Sequence, residues 1–197
     1  MKKSILLIGA ITLFAFSSFA QTTVELIKDI NPGGDSGPSA FREVNNKLYF
    51  YAYDGSDFGL FTSDGSETGT QKIKAIEPAT YSYKLGNDLI FGAEDLSTNV
   101  VSLWKSDGTS AGTVKIKDVA PKFVFKDLEF FEFNGKLYFS GDDGVNDFQL
   151  WVTDGTSAGT QLLKIINPTG EAGVIGFTEL NGKLYFHASD GDGLQPW

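Results

Sequence analysis

A short phrase recurs along the chain and sets the period of its fold. It reads LWKSDGTSAGT at residues 103–113 and LWVTDGTSAGT at 150–160, and a looser copy, LFTSDGSETGT, stands at 60–70. A second series, NNKLYF, GNDLIF, NGKLYF and NGKLYF, begins at residues 45, 86, 134 and 181. The aspartates of the phrase, Asp64, Asp107 and Asp154, are 43 and 47 residues apart. A period of this length is typical of propeller blades and solenoid repeats.

Each period contains four predicted β-strands. In residues 128–166 they read LEFFEF, KLYFSG, FQLWVTD and TQLLKII. Apolar residues alternate in short runs bounded by Asn, Asp and Gly, which favours strands over helices. The KLYF strands carry apolar side chains on both faces, so neighbouring sheets are expected to cover both. The sequence therefore predicts an all-β fold, a β-propeller-like array of about four blades, each a four-stranded antiparallel sheet, or a truncated piece of a larger propeller.

The first two strands of each unit are joined by a two-residue turn, which is Asn134-Gly135 or Asn181-Gly182 in the later copies. Asn-Gly between alternating apolar runs predicts a type I′ hairpin, because both turn residues need positive φ. Such a turn also fixes the register. In three copies it sets two aromatic residues opposite one another: Phe41 and Phe50, Phe130 and Phe139, and Phe177 and Phe186. In the second copy it sets Ser82 opposite Phe91.

The DGT phrase is interpreted as the loop between the third and fourth strands. Its aspartate is expected to accept backbone hydrogen bonds, its glycines to supply positive φ, and its last threonine to cap the exit. A calcium loop of the EF-hand type needs oxygen ligands across twelve residues ending in Glu, and no copy has that pattern. We therefore assign a structural turn role to three Asp-Gly pairs, Asp64-Gly65, Asp107-Gly108 and Asp154-Gly155.

The repeats divide the chain into a leader and one repeat domain, residues 1–20 and 21–197. Within the domain we place a lone strand at about 23–30 and units at 41–76, 81–119, 128–166 and, incomplete, 175–197. The lone strand, TVELIKDI, matches the fourth strand TVKIKDV at 113–119, whereas the last unit lacks a fourth strand. Pairing of the two would close a four-bladed ring. A truncated, open array is the alternative.

The first twenty residues have the pattern of a secretory signal peptide. Lys2 and Lys3 precede an apolar run from Ile5 to Phe16, and small residues surround Ala20. That run is too short to cross the ~30 Å hydrocarbon core of a bilayer as a helix, and no later run is longer, so no membrane span is expected in the mature chain. We predict a mature protein that begins at Gln21 and works outside the cytoplasm, at the cell surface, in the periplasm or in secreted material.

Charge and cysteine content argue against two classes of partner or site. Loss of Lys2 and Lys3 changes the formal net charge from -9 to -11. An acidic surface repels phosphate backbones, so nucleic acid is not an expected partner. The sequence has no cysteine, which excludes a disulfide framework and a thiolate metal site.

At LWKSDGTSAGT, LWVTDGTSAGT and the following TVKIKDV, the chain resembles the ELWxxDGT-repeat proteins, exported bacterial proteins with long arrays of this motif. The resemblance covers essentially all of the mature chain. It is weaker in the first copy, where Phe61 replaces Trp, and in LQPW at the end. It implies a β-propeller-like array with no established enzymatic activity and leaves the ligand open.

Loops that differ between copies are expected at the edge of the sheets opposite the tight turns, because loops alternate between the two edges. They are rich in carboxylates. Clustered carboxylates suit Ca²⁺, and the densest group yields a calcium hypothesis for Asp142, Asp143, Asp147, Asp190 and Asp192. The competing interpretation is that these residues form solvated turns.

No catalytic residue is predicted. Glu43, Glu132 and Glu179 recur at one repeat position, which Lys84 takes in the second copy, whereas catalytic carboxylates are single residues in distinct environments. His187 is the only histidine, and other residues stand at its repeat position: Tyr51, Gly92 and Ser140. No Gly-x-Ser-x-Gly elbow is present.

The sequence therefore favours an exported, non-catalytic repeat module that binds a glycan or protein ligand or serves as a scaffold. The alternative is a fragment of a propeller-type glycoside hydrolase or another carbohydrate-active enzyme. A non-repeated carboxylate pair facing a deep central pocket would distinguish them.

Overall fold

The computed structural model describes residues 24–79, 82–122 and 130–197. The predicted signal peptide and the predicted mature terminus Gln21 lie outside these residues. The described chain consists of antiparallel β-sheets and the loops between them, with no helix. Accordingly, no helix in these three ranges is long and apolar enough to cross a membrane. The all-β prediction is confirmed.

The first two repeat units form one sheet each. Unit 1 is a four-stranded sheet in chain order, composed of β1 (Ser39–Val44), β2 (Lys47–Tyr53), β3 (Phe58–Ser63) and β4 (Gln71–Lys74). Unit 2 contains β5 (Glu77–Pro78), β6 (Tyr83–Leu85), β7 (Asp88–Asp95), β8 (Val100–Ser106) and β9 (Val114–Lys117).

The remaining sheets follow the same order. Unit 3 contains β10 (Ala120–Pro121), β11 (Phe130–Phe133), β12 (Lys136–Asp142), β13 (Gln149–Thr153) and β14 (Gln161–Lys164). Unit 4 is a three-stranded sheet of β15 (Ile175–Leu180), β16 (Lys183–Ser189) and β17 (Leu194–Pro196).

The predicted hairpin register is confirmed in the part of each hairpin next to the tight turn. Phe130 lies opposite Phe139, with ring centroids 5.4 Å apart. The rings of Phe41 and Phe50 also lie 5.4 Å apart, and those of Phe177 and Phe186 5.5 Å apart. In these two units a β-bulge interrupts the first strand just beyond the aromatic pair. Ser82 is buried immediately before β6.

The first strand of units 2 and 3 differs from the expected single strand. In unit 2 it is divided into β5 and β6, which both pair with β7. In unit 3, β10 and β11 both pair with β12. The fourth strands are also shorter than expected. The predicted fourth strand of unit 3, TQLLKII, runs to Ile166, whereas β14 ends at Lys164.

The core lies between the sheets, so each sheet is covered by its neighbour in the chain. We call the face of a unit that packs on the preceding unit its leading face, and the opposite face its trailing face. On the trailing face of unit 1, Tyr49, Tyr51 and Leu60 pack against Phe91 and Trp104 on the leading face of unit 2. Similar clusters join unit 2 to unit 3 and unit 3 to unit 4.

The segment before unit 1 does not form the expected strand. Residues 24–30 have no strand structure and lie against unit 1, where Ile30 packs with Phe50 and Phe61 and the Lys28 amine donates to the Thr70 carbonyl over 2.7 Å. The sheet pairings of the described residues give β17 one strand partner, β16. The expected pairing of residues 23–30 with the last unit is therefore absent from the described part of the chain, and the ring is not closed there.

Candidate binding surface

One edge of the sheets carries the tight turns and the DGT loops. Asn45 donates from its side chain to the carbonyl of Asn87 over 2.9 Å, so the tight turns of units 1 and 2 are adjacent. A Cβ atom at Gly108 would lie 2.7 Å from the Tyr49 hydroxyl, which places the DGT loop of unit 2 beside the tight turn of unit 1. Asn134, Gly135, Asn181 and Gly182 all have positive φ, as a type I′ turn requires.

The DGT loops have the same hydrogen bonds in all three copies. Asp107 accepts from the backbone N–H and the hydroxyl of Thr109, at 2.9 and 2.7 Å. Asp64 accepts in the same way from Ser66, and Asp154 from Thr156. These donors hold the pKa of each aspartate below its usual value, with the side-chain hydroxyl as the largest cause. Each of these carboxylates therefore accepts its hydrogen bonds from within its own loop.

The two glycines of the phrase have different roles, which corrects the expectation that both supply positive φ. The first has positive φ in every copy: Gly65 at 90°, Gly108 at 86° and Gly155 at 84°. The second glycine does not. A Cβ atom at Gly112 or Gly159 would overlap the carboxylate of Asp107 or Asp154, respectively. The second glycine is thus required for close approach of the aspartate.

The opposite edge carries the loops that differ between units, and in unit 1 its carboxylates are paired with a lysine. The Lys72 amine lies 2.5 Å from an oxygen of Asp54 and 2.8 Å from one of Asp57. Asp54 also accepts from the backbone N–H groups of Ser56 and Asp57. The Lys72 hydrogen bond, followed by these two N–H groups, lowers the pKa of Asp54 to about 2.

The carboxylates of the calcium hypothesis are mostly turned toward their own backbone. Asp142 accepts from the N–H of Gly144 at 2.7 Å, and Asp190 from that of Asp192 at 3.2 Å. Burial opposes ionisation of Asp143, but the N–H groups of Asn146 and Val145 outweigh it and lower its pKa. Asp147 and Asp192 are exposed. Across the described ranges no three acidic or histidine side chains converge as metal ligands, so the calcium hypothesis gains no support from the geometry and stays a prediction.

The repeated glutamates lie apart from one another, on the first strands of three different sheets. Glu43, Glu132 and Glu179 are all exposed, and Glu43 accepts from the backbone N–H of Asn46 at 2.7 Å. This contact gives Glu43 a role in its hairpin turn. His187 is an exposed residue of β16, where it pairs with Ile175 across the bulge of β15.

An aromatic site at the variable edge of unit 1 was missed by the sequence analysis. The rings of Tyr53 and Phe58 lie 5.4 Å apart, and 42% of Phe58 is exposed. With Asp35, Ser36 and Gly37 they line an open depression of about 250 Å³. The N–H of Tyr53 donates to the Ser36 carbonyl at 2.9 Å, which fixes the connector beside the aromatic pair. The sequence does contain a signal for this site. Tyr53 is aromatic, whereas the equivalent positions of the other three units hold polar residues, Glu94, Asp142 and Ser189.

Gln149 holds the variable edge of unit 3 together and was also missed. Its side chain is fully buried. The amide nitrogen donates to the carbonyls of Asn146, Asn167 and Gly170 at 2.8–2.9 Å. The amide oxygen accepts from the N–H groups of Ile166 and Asn167. One side chain thereby joins the loop before β13 to the connector that leads to unit 4.

The comparisons with known proteins concern the fold. No family model matches the chain, and no curated protein matches it. Among solved structures, it is similar to a puromycin hydrolase with a TM-score of 0.51 and 15% identity, over 79% of this chain and 26% of that one. An α-L-arabinofuranosidase from Clostridium thermocellum has a TM-score of 0.26 and 16% identity, over 78% of this chain and 60% of that one. The chain thus spans about a quarter of the puromycin hydrolase, and the likeness shows a similarity of fold alone.

Proposed function

We propose that the chain is an exported, non-catalytic module of a β-propeller-like array, related to the ELWxxDGT-repeat proteins, that binds a glycan or protein ligand outside the cytoplasm. The observation that carries this proposal is the aromatic depression of Tyr53 and Phe58, at the edge where the loops differ between units. At the other edge, each DGT loop makes the same internal hydrogen bonds, which supports a structural role for that edge. Variable loops on a rigid frame are where binding sites usually lie.

The chemistry of the depression suits a saccharide. Exposed aromatic faces stack on the apolar faces of sugar rings, and a few polar groups beside them provide orientation. The Asp35 carboxylate lines the same depression and is exposed to accept from hydroxyl groups. The negative formal charge of the chain disfavours phosphorylated ligands, which leaves neutral glycans as the first class to test.

A glycan and protein binding screen with the purified exported protein tests this proposal. We expect a glycan to be retained, and its affinity to fall about tenfold or more in Tyr53→Ala and Phe58→Ala, because each loses a stacking face. Val145→Ala is the matched control, since Val145 is an exposed apolar residue in the equivalent loop of unit 3. Equal binding by all three variants would reject this site. Absence of any retained ligand would favour the scaffold role instead.

Export rests on the sequence pattern of residues 1–20 and has a separate test. Amino-terminal sequencing of the protein recovered outside the cytoplasm should begin at Gln21. Recovery of the intact Met1 terminus would reject the signal peptide.

The alternative, a fragment of a propeller-type glycoside hydrolase, requires two carboxylates facing one sugar. Glu43, Glu132 and Glu179 occupy equivalent, exposed positions on separate sheets, an arrangement that supports a structural role. Release of reducing sugar from a panel of polysaccharides by the purified protein, lost in a Glu132→Gln variant, would support the enzyme over the binding module.

A further inference from the structure

The aromatic depression of unit 1 continues a face that unit 2 covers further along the strands. Tyr53 and Phe58 stand two residues from Tyr51 and Leu60, respectively, so they share the trailing face of unit 1 with them. Tyr51 and Leu60 are buried against unit 2, whereas Tyr53 is half-buried and Phe58 is exposed. An internal face of the protein therefore reaches solvent at the variable edge.

Hydrogen-bond donors beside these two rings are used within the protein. The Tyr53 hydroxyl donates to the carbonyl of Gly55 at 3.0 Å, which leaves its oxygen free to accept. The Tyr53 N–H donates to the Ser36 carbonyl, and the Gly37 N–H donates to the Asp35 carboxylate at 2.8 Å. These groups offer acceptors to a ligand, so a ligand rich in donors suits them best.

Asp35 supplies a negative charge at the depression. One of its carboxylate oxygens accepts from Gly37, and within the described ranges neither a lysine nor an arginine forms an ion pair with Asp35. Lys72, at the same edge of unit 1, is paired with Asp54 and Asp57. The charge of Asp35 is therefore available to a cation from solution.

The equivalent ring in unit 3 already holds a cation. Phe148 occupies in unit 3 the repeat position of Phe58 in unit 1. The Lys122 amine lies 5.3 Å from the centre of the Phe148 ring and pairs with the Glu171 carboxylate. An ammonium group is thus held between an aromatic face and a carboxylate at this position.

Unit 1 has the ring and a carboxylate but not the lysine. In the register of the second strand, Ser39 stands where Lys122 stands in unit 3. Asp35 lies in the connector before unit 1, whereas Glu171 lies in the connector after unit 3. Because serine carries no charge, the Phe58 face is left open to a cation from a ligand.

We propose that the ligand of this depression is an amino sugar, whose protonated amine lies over the Phe58 ring and donates to the Asp35 carboxylate. This ligand class narrows the binding function proposed above and depends on it. The apolar face of the sugar ring stacks on Tyr53, and the sugar hydroxyls and amine supply the donors that the acceptors of the site require. A neutral sugar uses the rings but not the charge of Asp35.

A basic peptide fits the same site less well. Peptides that add to a sheet need a free strand edge for their main-chain hydrogen bonds. The strand that carries Tyr53, β2, is paired on both sides by β1 and β3, and the Tyr53 N–H is already bonded to Ser36. The depression of about 250 Å³ is also smaller than the roughly 300–1,000 Å³ of drug-sized ligand pockets, which suits a single sugar unit.

A titration of the purified exported protein, followed by nuclear magnetic resonance, tests this ligand class at mildly acidic pH, where a sugar amine is protonated. The probes are trisaccharides of glucosamine, N-acetylglucosamine and glucose with the same linkage. We expect the glucosamine trisaccharide to bind about tenfold or more tightly than the other two, and added salt to reduce this preference. The amide signals of Gly37 and Tyr53 should shift on binding.

Matched variants separate this site from the general negative charge of the protein. Asp35→Asn should remove the preference for glucosamine. Asp190→Asn should retain it, because it removes the same charge from a carboxylate that also accepts a backbone hydrogen bond. A preference that survives Asp35→Asn would overturn the proposal, and so would tighter binding of trilysine than of the glucosamine trisaccharide.

Two further results separate the amino sugar from the proposed function. Equal affinity for the three trisaccharides, lost in Phe58→Ala, would overturn the amino sugar but keep a glycan site at this depression. Absence of signal shifts with all three trisaccharides would overturn both.

Discussion

The hydroxyl oxygens of Thr153 and Thr160 lie 2.7 Å apart at the base of the DGT loop of unit 3, and neither side chain is exposed. The N–H of Gly155 donates to Thr153, and the Thr160 hydroxyl reaches the carbonyl of Thr156 at 2.6 Å. The same pair occurs in the other loops, between Ser63 and Thr70 and between Ser106 and Thr113. This buried pair closes each loop onto its two strands.

Removing one hydroxyl of the pair should destabilise the protein. Thr160→Val keeps the shape of the side chain but leaves the Thr153 hydroxyl and the Thr156 carbonyl without their partner, a loss of about 1–3 kcal/mol of unfolding free energy. Urea denaturation followed by tryptophan fluorescence measures it. The exposed Thr178 provides the control, since Thr178→Val should change stability little. Similar values for the two variants would contradict the role of the pair.

The second glycine of the DGT phrase should not tolerate a methyl group. Gly159→Ala places a Cβ atom onto the Asp154 carboxylate and displaces the hydrogen bonds to Thr156, which should cost roughly 1–3 kcal/mol by overpacking. Gly170→Ala is the matched control, because its Cβ atom would meet Asn167 only at 3.8 Å. Thermal unfolding of both variants measures the difference. A melting temperature of Gly159→Ala equal to that of Gly170→Ala would show that the close approach is unimportant.

The Gln149 network should be the most sensitive polar site of the variable edge. Gln149→Met preserves volume but removes the partner of three carbonyls and two N–H groups, so we expect a loss of about 3 kcal/mol or more. Gln71→Met, at an exposed position of β4, is the control. Denaturation in urea compares them, and hydrogen exchange of the Ile166 and Asn167 amides should rise selectively in Gln149→Met. Unchanged exchange at both amides would argue against the network.

The features predicted from sequence are those that a few neighbouring residues determine. The Asn134-Gly135 turn fixes its own register through two residues, and hence the pairing of Phe130 with Phe139. Alternation of apolar residues was sufficient for the all-β fold. The Ser or Thr before each DGT aspartate and the Thr after the second glycine recur in all three copies, so their pairing could also have been found from the sequence.

Features that depend on distant contacts were not predicted. Gln149 makes four of its five hydrogen bonds with Ile166, Asn167 and Gly170, which lie 17 to 21 residues later in the connector. The Tyr53 depression needs Ser36 and Gly37 from another connector. The position of residues 24–30 depends on Lys28 reaching Thr70, 42 residues away, and local pattern alone indicated a paired strand. In each case tertiary contacts decide what the local sequence leaves open.

Acid should weaken the variable loop of unit 1 through Asp54. The folded pKa of Asp54 is lowered from 3.8 to about 2, so its contribution to stability is present above about pH 4 and is lost as pH falls through about 2. Asp54→Asn should therefore reduce stability at pH 7 and flatten the decline of stability between pH 4 and pH 2. Because Lys72 is the main cause of the lowered pKa of Asp54 and the pair is partly exposed, the difference in stability between Asp54→Asn and wild type should shrink in high salt.

Asp190→Asn is the control for Asp54→Asn, since Asp190 is the equivalent carboxylate in unit 4 and accepts a backbone hydrogen bond from Asp192. Urea denaturation across this pH range, at low and high salt, checks the prediction; parallel curves for wild type and Asp54→Asn would contradict it.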